Sequence, residues 1–172
     1  MKAYGVMSVD VIAAKDNVTA IEIGARLVLG AFNGLPIIDD NGTVIGIVTT
    51  IDILRAIRDG KNLEKMLARD LMTKNPSVVM QDTKIEDIID IMDKKGIEMV
   101  PVIEERKEEE KEEGDDNSST RLIGIVSWSD ILTEKMNERF VTVGRKRIAT
   151  TTLGESWAFQ FIKTSKTSKR YN

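Results

Sequence analysis

The chain has 172 residues, 41% of them hydrophobic and only 5% aromatic, with a formal net charge of −3 at pH 7. That length suits one compact domain, or two small repeats over a shared core built mainly of Ile, Val, Leu, Met and Ala. The sequence holds no cysteine and no histidine, which excludes disulfides, a thiolate metal site, a cysteine nucleophile, a Ser-His-Asp triad and a histidine-ligated zinc or iron centre. Carboxylate sites for magnesium or calcium stay open chemically, but no EF-hand spacing occurs, and no metal site is expected.

In chain order, Met1-Lys2-Ala3-Tyr4-Gly5 has no apolar run after its lysine, so no signal peptide is expected. No stretch approaches a membrane span, and a soluble cytoplasmic protein is the expectation. Val11-Ile12-Ala13 predicts a short buried strand. An amphipathic helix follows, with Ala20, Ile23, Ala25 and Leu27 as its apolar positions and Gly34 near its end. The strand Leu35-Pro36-Ile37-Ile38 leads into a tight turn at Asp39-Asp40-Asn41-Gly42 and a second strand, Val44–Val48. A second helix starts near Thr50, with Ile53, Leu54 and Ile57 apolar.

The same order then recurs. Val78-Val79-Met80 predicts a strand, and Ile85, Ile88, Ile89 and Met92 a helix. Asp82-Thr83-Lys84-Ile85-Glu86 holds its capping candidates and Gly96 lies near its end. Met99–Ile103 is the next strand. Leu71-Met72-Thr73 repeats Val6-Met7-Ser8 at an offset of 65, which also carries Leu35-Pro36-Ile37 onto Val100-Pro101-Val102. Gly46-Ile47-Val48-Thr49-Thr50-Ile51-Asp52-Ile53-Leu54 repeats as Gly124-Ile125-Val126-Ser127-Trp128-Ser129-Asp130-Ile131-Leu132 at an offset of 78. The difference of 13 residues is an insertion in the second copy. Glu104 to Thr120 carries nine acidic and three basic residues and almost nothing apolar, so it predicts a solvated hairpin loop. From Arg145 to the end the chain carries seven basic residues against Glu155 alone, a charge of +6 that leaves −9 on the rest. Trp157, Phe159 and Phe161 alternate there like a one-faced strand, and Thr164–Arg170 reads as a disordered end.

Two copies of Gly-Ile-Val-[Thr/Ser]-x-x-Asp-Ile-Leu, each behind a Pro-[Ile/Val] strand, resemble the CBS domain pair, the module named after cystathionine β-synthase and also called a Bateman module. The resemblance covers residues 5–139. It implies an α/β (α+β) fold of two β-α-β-β-α repeats related by a pseudo-two-fold axis. The repeats would span 1–68 and 69–139, the latter with the acidic loop 104–120, followed by a basic C-terminal extension, 140–172. It implies pairing of two such units through their helices into a homodimer. The implied function is binding of an adenosine ligand (AMP, ADP, ATP or S-adenosylmethionine) as a regulatory ligand in the cleft between repeats, with no required cofactor and no catalysis.

The residues support that reading on their own. Thr49 and Asp52, three apart at a strand-to-helix junction, put a hydroxyl and free backbone N–H groups where a phosphate can sit. They also put an acidic acceptor where a ribose diol can donate. Ser127 and Asp130 repeat the arrangement. Arg55 and Arg58 follow the first motif at helical spacing and reach towards phosphate. The strands around Ala13, Leu35, Pro36, Val78, Met99, Val100 and Pro101 can sandwich a flat base. The competing readings are an ordinary helix cap at each junction, a purely structural dimerisation module, and a nucleic-acid-binding regulator that uses the basic, aromatic tail. Because the insertion lacks an apolar anchor, and loop closure depends weakly on length, replacing Glu105–Ser119 by a short Gly-rich turn is expected to leave the melting temperature nearly unchanged. A large fall in a calorimetric scan would show that the loop packs on the body.

Overall fold

Residues 1–106 and 120–147 are described in this computed structural model, with side chains described to residue 137. The acidic loop was expected over 104–120; Glu104, Glu105 and Thr120 lie in strands, and residues 107–119, like the chain beyond Arg147, lie outside the described residues. After a 3₁₀ turn at Ala3–Gly5, the first repeat runs β1 (Ala14–Lys15), α1 (Ala20–Gly30), β2 (Gly34–Ile38), β3 (Val44–Thr49) and α2 (Thr50–Arg58). Two short elements, α3 (Ala68–Leu71) and β4 (Thr73–Lys74), lead into the second. It runs β5 (Val79–Met80), α4 (Ile85–Lys95), β6 (Met99–Glu105), β7 (Thr120–Ser127) and α5 (Trp128–Arg147). The β-α-β-β-α order holds in both copies. Met1–Thr133 form one compact unit.

Each repeat folds around its own apolar layer. Leu35, Ile37 and Val48 project from one face of the first sheet onto Ala20, Ile23 and Leu27 of α1 and Ile53 of α2. Val100, Val102 and Val126 meet Ile85, Ile88 and Met92 of α4 and Ile131 of α5 in the same way. Burying one such side chain fully stabilises by about 1.5–3 kcal/mol. β1 pairs parallel with β2 and β2 antiparallel with β3; β5, β6 and β7 repeat this pattern. Even the register shifts coincide, between Ile37 and Ile38 and between Val102 and Ile103.

What joins the copies is an exchange of their lead segments. The turn before each repeat packs on the other repeat's core. Ala3 is fully buried in the second core and Ala68 in the first. Its N–H donates to Thr83 O at 2.8 Å, and Ala68 N–H to Val18 O at 2.8 Å. Ser8 pairs antiparallel with Ile125 of β7, and Thr73 of β4 pairs with Ile47 of β3. The methionines just before these residues lie flat across glycines. A Cβ at Gly46 would fall 2.4 Å from Met72 Sδ and 2.9 Å from Met72 Cβ, and one at Gly124 would fall 2.6 Å from Met7 Sδ. A Cβ at either glycine would force the crossing methionine or the lead segment to shift.

Several local expectations shift. The first strand of each copy lies later than expected, at Ala14–Lys15 rather than Val11–Ala13, and at Val79–Met80 without Val78. Pairing with the central strand begins only at Ile37 and Val102, one residue past Pro36 and Pro101, which have no N–H to give to a ladder. The second copy's first helix is capped at Lys84 with no side-chain cap hydrogen bond, not by Asp82 or Thr83, and the Thr83 carbonyl accepts from the Ala3 N–H. Ala31, with φ 52°, takes the left-handed position that ends α1, and Gly96, with φ 60°, ends α4. Gly34 instead opens β2, where a Cβ would meet Met99 Sδ at 3.0 Å. Ala25 is exposed, and the buried stripe of α1 is Ala20, Ile23 and Leu27.

The exchange generates a stability test. Gly46→Ala is expected to cost about 1–3 kcal/mol through the clash with Met72. In a Met72→Ala background its extra cost should shrink, since the clashing atoms are gone. Denaturant titration of the four proteins measures this; strictly additive losses would mean the methionine is not what the glycine accommodates.

Candidate functional site

The two strand-to-helix junctions are built alike. Thr49 is extended, with φ −110° and ψ 164°, and caps α2. Its hydroxyl donates to Asp52 Oδ2 at 2.6 Å and its N–H to the same oxygen at 2.8 Å. In the second copy the Ser127 hydroxyl and N–H donate to Asp130 Oδ2 at 2.5 and 3.0 Å. Asp130 N–H returns a bond to Ser127 Oγ at 3.3 Å. The capping role is therefore real at both junctions, and it uses one oxygen of each carboxylate. The other oxygen faces elsewhere: Asp52 Oδ1 meets Arg55 Nη1 at 3.6 Å, and Asp130 Oδ1 accepts from Ser8 Oγ at 3.5 Å. A carboxylate offers roughly four acceptor positions, so capping and accepting from a diol are compatible.

The remaining expected residues fall into three groups. Leu35 and Val100 are fully buried with their side chains inside the two cores. Pro36 and Pro101 are also fully buried, one step along each strand and so on the opposite face, cross-strand from Ile47 and Ile125. Met99 reaches across to Gly34, its own counterpart in the first copy, and the Asn33 amide donates to the carboxylate of its counterpart Glu98 at 3.4 Å. The pseudo-two-fold axis therefore passes between these residues. Ala13 and Val78 lie on the unpaired segments just before β1 and β5, with Val78 36% exposed and the Ala13 carbonyl accepting from Arg26 Nη1 at 3.1 Å. Arg58 turns away to Asp59 at 2.8 Å.

Sequence reasoning missed Ser8 and Arg26. The lead segment holding Ser8 was visible as one end of the repeat, but only its pairing with Ile125 carries it to Asp130. Arg26 has Ile91 as its counterpart, so symmetry gave no signal for it. Two open hollows flank the helices. One, of about 190 Å³, includes Asp52, Arg55, Asp59, Lys61 and Asp70 in its lining. Three carboxylates against two cations give it no preference for an anion. The other, of about 400 Å³, is walled by Ile89, Met92, Ile97, Trp128 and Ile131 and rimmed by Asp93 and Glu98. Among the described residues no group of three acidic, cysteine or histidine side chains is placed to hold a metal ion. None of the described helices is long and apolar enough to cross a membrane.

Comparison with known proteins places this architecture. The CBS domain model matches residues 3–59 and 68–137, and the chain belongs to the CBS domain family. It is 31% identical over 124 residues to an uncharacterised protein of Methanopyrus kandleri, across 72% of this chain and 57% of that one. It is 28% identical to the L-aspartate semialdehyde sulfurtransferase of Methanocaldococcus jannaschii, across 73% of this chain and 21% of that enzyme. It thus spans little more than half of the first relative and a fifth of the second. Among solved structures it resembles the CBS domain pair of protein MJ0100 in complex with 5′-methylthioadenosine and S-adenosyl-L-methionine. That likeness has a TM-score of 0.66 at 25% identity, over 80% of this chain and 98% of that one. The pair of CBSX2, solved with AMP, shares the fold at a TM-score of 0.64 and 24% identity, covering 80% of this chain and 98% of that one.

Because both aspartates act as caps, Asp52→Ala and Asp130→Ala are each expected to lower unfolding stability by about 1 kcal/mol. Chemical denaturation of the unliganded protein measures this. A loss near zero at either position would mean that the junction is held by packing and not by its carboxylate.

Proposed function

We propose that this CBS pair is a regulatory module that binds an adenosine-containing ligand at the two Thr/Ser-x-x-Asp junctions and does not turn it over. The observation that carries the reading is the duplicated junction. In both copies a carboxylate holds the helix start with one oxygen and directs the other towards neighbouring groups. Beside the second junction lies the other repeat's lead segment, ending at Ser8. A ribose diol donates two hydrogen bonds to such an oxygen, and charge-assisted bonds of this kind are worth roughly 1.5–3 kcal/mol each. The unpaired segments before β1 and β5 leave backbone polar groups to read the edge of a base. Support from outside the chain comes from the MJ0100 pair, whose two ligands both carry adenosine. Pocket contacts from Thr49, Ser127, Ala13, Pro36, Val78, Met99, Pro101 and Arg55 belong to the same proposal. The module acts as a homodimer.

The test is a thermal-shift screen with 5′-methylthioadenosine, S-adenosylmethionine, AMP, ADP and ATP, followed by calorimetric titration of the best ligand. A ligand at a hundred times its Kd adds about 2.7 kcal/mol to stability, an easily read rise in Tm. Asp52→Ala or Asp130→Ala should weaken binding by about 2–3 kcal/mol, clearly more than the cap alone costs. Neither variant should discriminate as strongly when the ligand is the 2′-deoxy analogue, which lacks one donor. A flat screen would sink the sensing role. Normal binding by both variants would leave the aspartates as caps only.

A further inference from the structure

Each repeat is entered by a segment that crosses from one sheet to the other. The first leaves Ser8, paired with Ile125 of β7, and reaches Ala14 of β1, paired with Ile37 of β2. The second leaves β4, where Thr73 pairs with Ile47 of β3, and reaches Val79 of β5, paired with Val102 of β6. Each crossing starts on a strand that ends in a junction, β7 at Ser127 and β3 at Thr49. The two crossings are held by different means. The second contains Pro76, whose ring fixes its own φ, and Asn75 in the left-handed region at φ 49°; Lys95 Nζ of α4 also donates to Ser77 Oγ at 2.7 Å. The first has Val11 in place of Pro76 and Ile12 in place of Ser77. It is held at its far end, where Arg26 Nη1 of α1 donates to the Ala13 carbonyl at 3.1 Å. The guanidinium is itself aimed by Glu22, one turn back on α1, whose Oε1 accepts from Nη2 at 2.5 Å. At the offset of 65, Glu22 and Arg26 become Asp87 and Ile91, so the second repeat cannot build this clamp.

We infer that Arg26 is a positioning residue for the pocket at the second junction: it fixes the Ala13 carbonyl, and with it the crossing from Ser8, for the edge of a ligand's base. This rests on the ligand reading of the junctions and adds a residue that acts on only one of them. A segment without ladder bonds must be ordered before its backbone can read a base, and ordering it beforehand removes that cost from binding. A charged donor holds a carbonyl more firmly than a neutral one. A carbonyl oxygen has two lone pairs, so the Ala13 oxygen accepts from Arg26 and keeps a place for the exocyclic amine of adenine. The Ser8 hydroxyl, 3.5 Å from Asp130 Oδ1, ties the other end of the same crossing to the junction carboxylate. The crossing is therefore fixed at both ends, to Asp130 through Ser8 and to α1 through Arg26.

Two measurements test this, the first without ligand. Hydrogen exchange read by mass spectrometry should be faster over residues 9–14 in Arg26→Met and unchanged over residues 74–79. Arg26→Lys, which keeps one donor, should fall between wild type and Arg26→Met. Calorimetric titration then uses 5′-methylthioadenosine and AMP as probes. In an Asp52→Ala background, where the second junction carries the binding, adding Arg26→Met should weaken it by about ten-fold, the order of one hydrogen bond. In an Asp130→Ala background the same change should cost less than about two-fold, as for independent sites. Analogues of the probes that lack the exocyclic amine should lose most of the Arg26 effect, which a general loss of stability would not produce. Unchanged exchange over residues 9–14, or equal losses in both backgrounds, overturns the positioning role while ligand binding stands. Failure of the wild type to bind either probe overturns the ligand reading, and this inference with it.

Discussion

Everything in this molecule depends on the exchange of lead segments between the repeats. Each small sheet lacks one edge and each core lacks one small residue, and the other copy supplies both. Ala3 closes the second core and Ala68 the first. A repeat of about 60 residues alone would bury too little surface to be comfortably stable, and here each would also open a strand edge and uncover a core. The glycines at 46 and 124 are the narrowest point of this arrangement, because the crossing methionines need the space a Cβ would take. The exchange also reaches the candidate site. Ser8 is at once the residue that pairs with β7 and the donor to Asp130 Oδ1. A ligand that competes for that oxygen therefore acts on the segment by which the first repeat holds the second.

Much of this was legible in the sequence because it was written twice. Periodicity placed Ile85, Ile88 and Met92 of the α4 stripe, though Ile89 is exposed, turn residues marked Asp39–Gly42, and the offsets of 65 and 78 aligned the copies. Less legible were features that depend on a distant partner. The lead segments aligned with one another as repeats, but their role appears only when Thr83 O and Val18 O are seen accepting from them. The stretch 82–86 bracketed the cap of α4, which falls at Lys84 without a side-chain cap bond. At the site, the capping network of Thr49 and Asp52 was legible as one of two alternatives. Side-chain direction was not, since strand alternation alone cannot say which face of β2 or β6 meets the core.

Repetition also explains where the copies are free to differ. Core positions must stay apolar and filled, so each buried core position of one copy has a buried apolar counterpart in the other, though sizes differ, as Ala20 and Ile85 do. The outer faces of the helices carry no such constraint: Ile21, Val28 and Leu29 of α1 are exposed where α4 has Glu86, Asp93 and Lys94, while α4 and α5 expose Ile89, Trp128 and Leu132 instead. The two junctions have diverged in the same manner. Arg55 stands beside Asp52 and Arg58 turns to Asp59; their counterparts in the second copy are Thr133 and Met136.

The consequence for ligand chemistry depends on how firmly those arginines are held. The Arg55–Asp52 pair is long, at 3.6 Å, with the arginine side chain 62% exposed, and Arg58–Asp59 is shorter but more exposed still. Exposed pairs of this kind contribute roughly 0–1 kcal/mol, so neither arginine is strongly committed to its present partner. A phosphate gains more from a charge-assisted, bidentate guanidinium contact than these pairs lose. Asp59, Lys61 and Asp70 nearby nearly balance the local charge and keep the unliganded protein from attracting anions indiscriminately. The lining around the first junction thus has three carboxylates against two cations, with Arg55 only loosely committed to Asp52.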